Sequence, residues 1–180
     1  MKHRFLIAAM AMIFAVCSIN KLAGQVPTKI SADSLIVRID KYRNTEVEVE
    51  GLIIYVCSFN GKKLKLETKN GEIIKIVPKD TLASFDTTFY KRSVKVKGIV
   101  KESRLDKAYI DKMEKERTLL CHIDNTPCKD SAWVSRQVAA GRADRLSKRD
   151  IDKLRAIMKK KNKDYVSVVS IIAEKCEIIR

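Results

Sequence analysis

The sequence lacks the motifs that mark the common catalytic sites. It contains no Gly-x-Ser-x-Gly turn, no His-Glu-x-x-His helix and no glycine-rich loop of the P-loop or Rossmann kind. Histidine is scarce, since only two are present and His122 alone lies beyond the first 24 residues. Cys121 precedes it directly, but adjacent side chains of an extended chain point apart, so the pair is not predicted to act as nucleophile and base. The sequence therefore predicts a protein that is not an enzyme.

Aromatic residues are also few, with one Trp, five Tyr and five Phe in 180 residues. None lies between positions 60 and 84, where two β-strands are predicted below. Proteins that hold single-stranded nucleic acid stack its bases on aromatic side chains. Nucleic acid is therefore disfavoured as a partner and is kept only as a second alternative. Trp133 lies in a helical region, where a packing role is expected.

The uncharged run from Phe5 to Ile19 is shorter than the ~20 apolar residues that span a membrane. It follows a basic start and precedes small residues that end at Gly24, the pattern of a secretory signal peptide. We predict cleavage after Gly24, with an uncleaved anchor as the alternative. Val16, directly before Cys17, is too bulky for a lipoprotein signal, so a lipid anchor is not expected.

Residues 25–180 are then expected to form a single mature domain that is periplasmic or secreted and has no transmembrane segment. The signal contains three of the 37 basic residues and none of the 22 acidic ones, so its removal lowers the formal charge from +15 to +12. A basic surface favours anionic partners. A solvated lysine-rich surface without a specific partner is the alternative.

The first elements of this domain follow from short-range patterns. Ser31 is placed to cap a helix that ends near Asn44. The alternating run Glu46–Glu50 predicts a half-buried strand that continues past Gly51 to Cys57, with the glycine marking a bend. Turns at Asn60-Gly61 and Asn70-Gly71 predict two hairpins, and therefore a three-strand meander that ends at Pro78.

The second half of the chain is mostly helical. A fourth strand is predicted at Val94–Val100, and helical patterns run from about 105 to 163 around a turn-rich loop at 121–128. The clearest helix is expected to begin at Ser147, which forms a capping box with Asp150. Dense β-branched residues from Tyr165 to Ile179 predict a last strand that is central and covered.

These elements predict an α+β fold: a five-stranded OB-like β-barrel with an N-terminal helix and a helical insertion before the last strand. The expected barrel core is listed here: Val47, Val49, Leu64, Leu66, Ile76, Val94 and Val96. Gly51 would let the first strand join both halves of the barrel.

Short motifs also resemble a known group. Val47–Ile53 has the form V-x-V-x-G-x-[IV] and leads into Val56-Cys57 and the turn Gly61-Lys62-Lys63, while Tyr165–Val169 forms the final strand. In these features the chain is similar to small exported bacterial OB-fold proteins. The resemblance implies the fold and no established activity. Many members of that group carry a histidine two residues after the strand cysteine, where this chain has Phe59.

Four cysteines remain after the signal is removed: Cys57, Cys121, Cys128 and Cys176. An even number in an oxidising compartment makes disulfides the default, although the sequence does not determine which cysteines pair. Cys121 and Cys128 flank a short loop, so a local disulfide between them is favoured. The alternative is a thiol or metal protein in which Cys57, Cys121, His122 and Cys128 bind zinc or copper.

The expected function is that of a non-catalytic binding module of the cell envelope that recognises an anionic ligand or a protein partner and uses no cofactor. OB-folds bind ligands on their second and third strands. The candidate ligand-binding residues there are Phe59, Lys62, Lys63, Lys65 and Lys75.

Overall fold

The computed structural model describes residues 26–57 and 59–179, so the predicted signal peptide and its cleavage after Gly24 lie outside the described residues. The strands are β1 (Thr28–Lys29), β2 (Glu46–Val56), β3 (Leu64–Glu67), β4 (Ile73–Pro78), β5 (Ser93–Asp106) and β6 (Tyr165–Ile178). The helices are α1 (Ala32–Val37), α2 (Ile39–Tyr42), α3 (Lys107–Lys115), α4 (Ser131–Ala139) and α5 (Ala143–Lys161). Within these ranges, no helix is long and apolar enough to cross a membrane.

The N-terminal helix begins where the sequence predicts. The backbone N–H of Ser34 donates to the Ser31 side chain at 3.1 Å, which caps α1. The helix is interrupted at Arg38, whose backbone leaves the helical region, and it resumes as α2. Leu35 and Ile39, one from each piece, are buried against the barrel.

Both predicted hairpins are present. Gly61 and Gly71 have φ values of 60° and 75°, the left-handed conformation that these turns require. β2 pairs antiparallel with β3, and β3 pairs antiparallel with β4 through Leu64 and Ile76. The predicted meander is therefore confirmed.

Five strands close into a mixed barrel in the order β2-β3-β4-β6-β5, and β5 pairs back onto β2. β6 pairs parallel with β4 and antiparallel with β5, so it is central as predicted. The two-residue strand β1 lies outside the barrel and pairs parallel with β2. The predicted α+β class and five-stranded barrel are confirmed, and all seven predicted core residues are no more than 1% exposed.

Gly51 and Gly98 are both required by close approach. A Cβ on Gly51 would lie 2.7 Å from the Cγ of Leu66, a fully buried residue of β3. A Cβ on Gly98 would lie 2.8 Å from the carbonyl carbon of Ile172 in β6. β2 pairs with β5 up to Leu52 and with β3 from Leu52 onward, so one strand does join both halves of the barrel.

The helical insertion has an apolar cluster of its own, in which Ile110 and Met113 of α3 meet Ile151 and Leu154 of α5. The predicted start of α5 at Ser147 is wrong. Gly141, with φ of 64°, ends the preceding turn, Arg142 is the N-cap residue, and α5 begins at Ala143. Ser147 therefore lies inside the helix and is buried.

Candidate ligand-binding site

Two of the predicted ligand lysines contact a carboxylate that the insertion supplies. Nζ of Lys63 and Nζ of Lys75 lie 2.8 Å and 3.2 Å from Oδ2 of Asp124, whose side chain is only 3% exposed. The Thr126 hydroxyl donates to Oδ1 of Asp124 at 2.7 Å. Burial opposes ionisation of Asp124, but the hydrogen bonds from Lys63 and Thr126 and the charge of Lys75 outweigh it. Together they hold the pKa of Asp124 well below its usual range.

The loop that carries Asp124, residues 119–128, is shaped by its own hydrogen bonds. Leu120 and Pro127 form an isolated antiparallel bridge. Asn125 adopts φ of 56°, and its carbonyl accepts a hydrogen bond from the Tyr109 hydroxyl at 2.7 Å. Through Asp124, this loop is held to Lys63, directly before β3, and to Lys75 in β4. The insertion thus lies against the barrel face on which the sequence predicts a ligand to bind.

A cavity of about 240 Å³ remains between this loop, α5 and strands β3, β4 and β6. Its charged and titratable lining residues include Lys65, Lys75, His122, Lys153 and Lys161, and we call it the lysine pocket. Glu72 also lines it, but its carboxylate is paired with Lys161 at 2.9 Å. Lys75 is paired with Asp124. Lys65 and Lys153 therefore determine the charge that a ligand would meet.

Lys65 is half-buried, and among the described residues no carboxylate lies within ion-pair distance of it or of Lys153. Burial, followed by the nearby charge of Lys153, lowers the pKa of Lys65. Lys63, which directly precedes β3 and lies two residues before Lys65, shows the opposite result. Burial lowers its pKa too, but the hydrogen bond from Lys63 to Asp124 outweighs that effect and raises it.

A second, smaller cavity of about 110 Å³ lies next to the first. We call it the thiol pocket because Cys57, Cys121 and Cys128 line it. Three aromatic residues complete much of its wall: Tyr55, Phe59 and Trp133. His122 and Ile123 line both cavities, and the ring of His122 stands edge-on to Tyr55 with centroids 4.2 Å apart. Partial desolvation of the ring, followed by the charge of Lys65, lowers the pKa of His122.

The four cysteines within residues 26–57 and 59–179 are free thiols, and the favoured disulfide between Cys121 and Cys128 is absent. The loop register explains this difference. The N–H of Cys121 bonds to Thr126, and that of Cys128 bonds to Leu119, so the two cysteines are diagonal neighbours in the bridge. Diagonal positions lie ~7–8 Å apart, which exceeds the usual Cα separation across a disulfide.

The four proposed metal ligands line one pocket without forming a metal cluster. In the part of the chain that the structure describes, no three His, Cys, Asp or Glu side chains are grouped closely enough to hold an ion. Burial raises the pKa of Cys121, although Nζ of Lys63 lies 3.9 Å from its sulfur. Cys176 is separate from this group: it packs against the barrel core, and burial raises its pKa to about 12.

The five predicted ligand residues are divided among different surroundings. Lys65 and Lys75 line the lysine pocket, while Phe59 and Lys63 line the thiol pocket. Lys62 is exposed in the turn and lines neither cavity.

Sequence reasoning missed Asp124 and Lys153. A single acid in a turn-rich loop and one lysine in a basic helix carry no local signal of a binding site.

No known protein family matches this chain, and no curated protein matches it. The interpretation of the two pockets therefore rests on their own chemistry.

Proposed function

We propose that this protein is an exported, non-catalytic binding module of the cell envelope that holds a small anionic ligand in the lysine pocket. The observation that carries the proposal is Lys65, a half-buried lysine beside Lys153 with no acidic partner among the described residues. Its neighbours Lys63 and Lys75 both pair with Asp124. The protein therefore supplies the counter-charge for those two lysines itself.

Electrostatics supports an anion at this position. Burial disfavours a charged amine, and a second positive charge nearby disfavours it further. A phosphate, sulfate or carboxylate group between Lys65 and Lys153 would offset both effects and accept charge-assisted hydrogen bonds. The cavity of about 240 Å³ is large enough for such a group.

The barrel topology supports the same location. We propose that the barrel is an OB-fold, because its five strands close in the order β2-β3-β4-β6-β5 with β4 and β6 parallel. OB-folds bind ligands on the second and third barrel strands and the loops beside them. Those strands are β3 and β4 here, and the lysine pocket lies over them. Export rests on the charge and hydropathy pattern of residues 1–24, and the absence of catalysis rests on the lack of catalytic motifs.

Calorimetric titration of the mature chain with inorganic phosphate and pyrophosphate tests this proposal. We expect Lys65→Gln to weaken binding at least about tenfold, since one charge-assisted hydrogen bond contributes ~1.5–3 kcal/mol. Lys62→Gln is the matched control: it removes a lysine from the same hairpin but outside both pockets, and it should bind as the wild type does. Higher salt should weaken binding.

The proposal fails if the wild type binds neither anion, or if Lys65→Gln binds them as tightly as Lys62→Gln. A single substitution is preferable to replacing Lys62, Lys63 and Lys65 together by glutamate. In that triple variant a new carboxylate at position 63 would face Asp124, so lost binding could reflect lost structure.

A further inference from the structure

The lysine pocket and the thiol pocket are adjacent, and we infer that the anionic ligand carries a small aromatic ring that occupies the thiol pocket. This inference rests on the proposed function, because it adds the chemistry of the ligand's second part to the anion site. The two cavities share a wall made of His122 and Ile123. A ligand of the size of an aryl phosphate or an aryl carboxylate could reach both.

The thiol pocket has the lining that an aromatic ring prefers. Leu120, Ile123 and Trp133 provide apolar surface, and three thiols provide polarizable sulfur. A dry apolar cavity of ~150 Å³ binds benzene. The thiol pocket, at about 110 Å³, is of similar size, and Phe59 is one of its lining residues. Phe59 is 49% exposed, so it still has apolar surface that a bound ring could cover.

The charges near the thiol pocket do not favour an anion inside it. Two lysines line this pocket: the ammonium group of Lys63 is already paired with Asp124 at 2.8 Å, and Lys129 is exposed to solvent and is followed by Asp130, which lines the pocket as well. Lys65 and Lys153, which have no carboxylate within ion-pair distance among the described residues, line the other cavity. This difference between the two cavities assigns the charged group of the ligand to the lysine pocket and its ring to the thiol pocket. His122 stands at the junction, where its imidazole can bond to the atom that joins ring and anion.

Tryptophan fluorescence provides a direct readout, because Trp133 is the only tryptophan in the chain and it lines the thiol pocket. The probes are phenyl phosphate, inorganic phosphate and phenol, titrated into the mature wild-type protein. We expect phenyl phosphate to change the Trp133 emission and to bind at least about tenfold tighter than inorganic phosphate, an increment that a buried ring supplies. Inorganic phosphate should leave the emission nearly unchanged.

A substitution that fills the thiol pocket should separate the contribution of the ring to the affinity from that of the phosphate group. In Cys57→Leu the larger side chain occupies ring space, so we expect the advantage of phenyl phosphate to disappear while phosphate affinity stays as in the wild type. Retained phosphate binding also shows that the variant is folded. Cys128→Leu, at another lining position of the same pocket, serves if Cys57→Leu does not fold. Lys65→Gln should weaken phenyl phosphate and leave phenol unchanged.

The possible failures are distinct. If inorganic phosphate binds but phenyl phosphate binds no tighter, or if Cys57→Leu and Cys128→Leu both keep the full preference for phenyl phosphate, the inference is overturned and the anion site stands. If phenol alters Trp133 emission while neither phosphate compound binds, the ligand is uncharged and the proposed function is wrong as well.

Discussion

Asp124 determines the ion pairing of two nearby lysines. Its buried carboxylate holds Lys63 and Lys75 and thereby fastens the insertion loop to the barrel. In Asp124→Asn the two partly buried lysines would lose their shared counter-charge. We expect the free energy of unfolding to fall by about 3 kcal/mol, the lower end of the cost of breaking a buried ion pair, because Lys63 and Lys75 keep 23% and 17% exposure.

Urea unfolding measures this loss. Asp144→Asn is the matched control, since Asp144 pairs with Arg117 in an exposed ion pair at 3.0 Å and should contribute under about 1 kcal/mol. Equal effects of the two substitutions would contradict the structural role of Asp124.

The same carboxylate predicts a pH dependence. The folded pKa of Asp124 lies below its ordinary value of 3.8, so its stabilising contribution is fully present above that pH and is lost as the pH falls through and below it. The stability difference between wild type and Asp124→Asn should therefore be constant near neutrality and shrink below about pH 3.8. Unfolding curves at several pH values measure it, and a difference that grows toward acid pH would contradict this sign.

At the scale of elements, two glycines set how closely strands approach. An added Cβ at Gly51 meets a side chain, Leu66, whereas one at Gly98 meets the backbone of β6. We expect Gly51→Ala to cost ~1–3 kcal/mol, the usual penalty for overpacking a core. Gly98→Ala should cost more, because a paired strand cannot move as a side chain can. Gly51→Val should exceed Gly51→Ala, since it adds two further methyl groups against Leu66.

Thermal or urea unfolding ranks these variants, and Glu50→Ala, an exposed neighbour of Gly51 on β2, is the control that should change stability little. A Gly98→Ala variant as stable as Glu50→Ala would show that β6 does not restrict this position.

At the scale of the whole molecule, the free thiols bear on the predicted export. The four cysteines among the described residues are unpaired in the structure, although an oxidising compartment favours disulfides. We expect protein recovered after export to titrate four thiols in denaturant. In the folded state Cys176 should react last, because thiolate is the reactive form and burial raises its pKa to about 12. Two titratable thiols in denaturant would instead indicate a disulfide.

The sequence by itself determined the existence and order of the barrel strands, both hairpin turns, the cap at Ser31 and the core residues. Each depends on patterns within about ten residues: alternation, turn pairs, a capping hydroxyl. It ended the fourth barrel strand too early, at Val100, whereas β5 continues to Asp106. It misplaced the start of α5 because Ser147 and Asp150 form a valid capping pattern, while Gly141 ends the preceding turn earlier and lets the helix begin at Ala143.

Only the tertiary structure decided the site. It brought Asp124 to Lys63 and Lys75, left Lys65 beside Lys153, and placed three thiols around one cavity. These residues come from the meander and from the insertion, which are far apart in the chain. The sequence pattern of lysines on a strand is the same whether their side chains meet solvent or a buried carboxylate. Which of them has an ion-pair partner depends on neighbours that only the packing of the chain supplies.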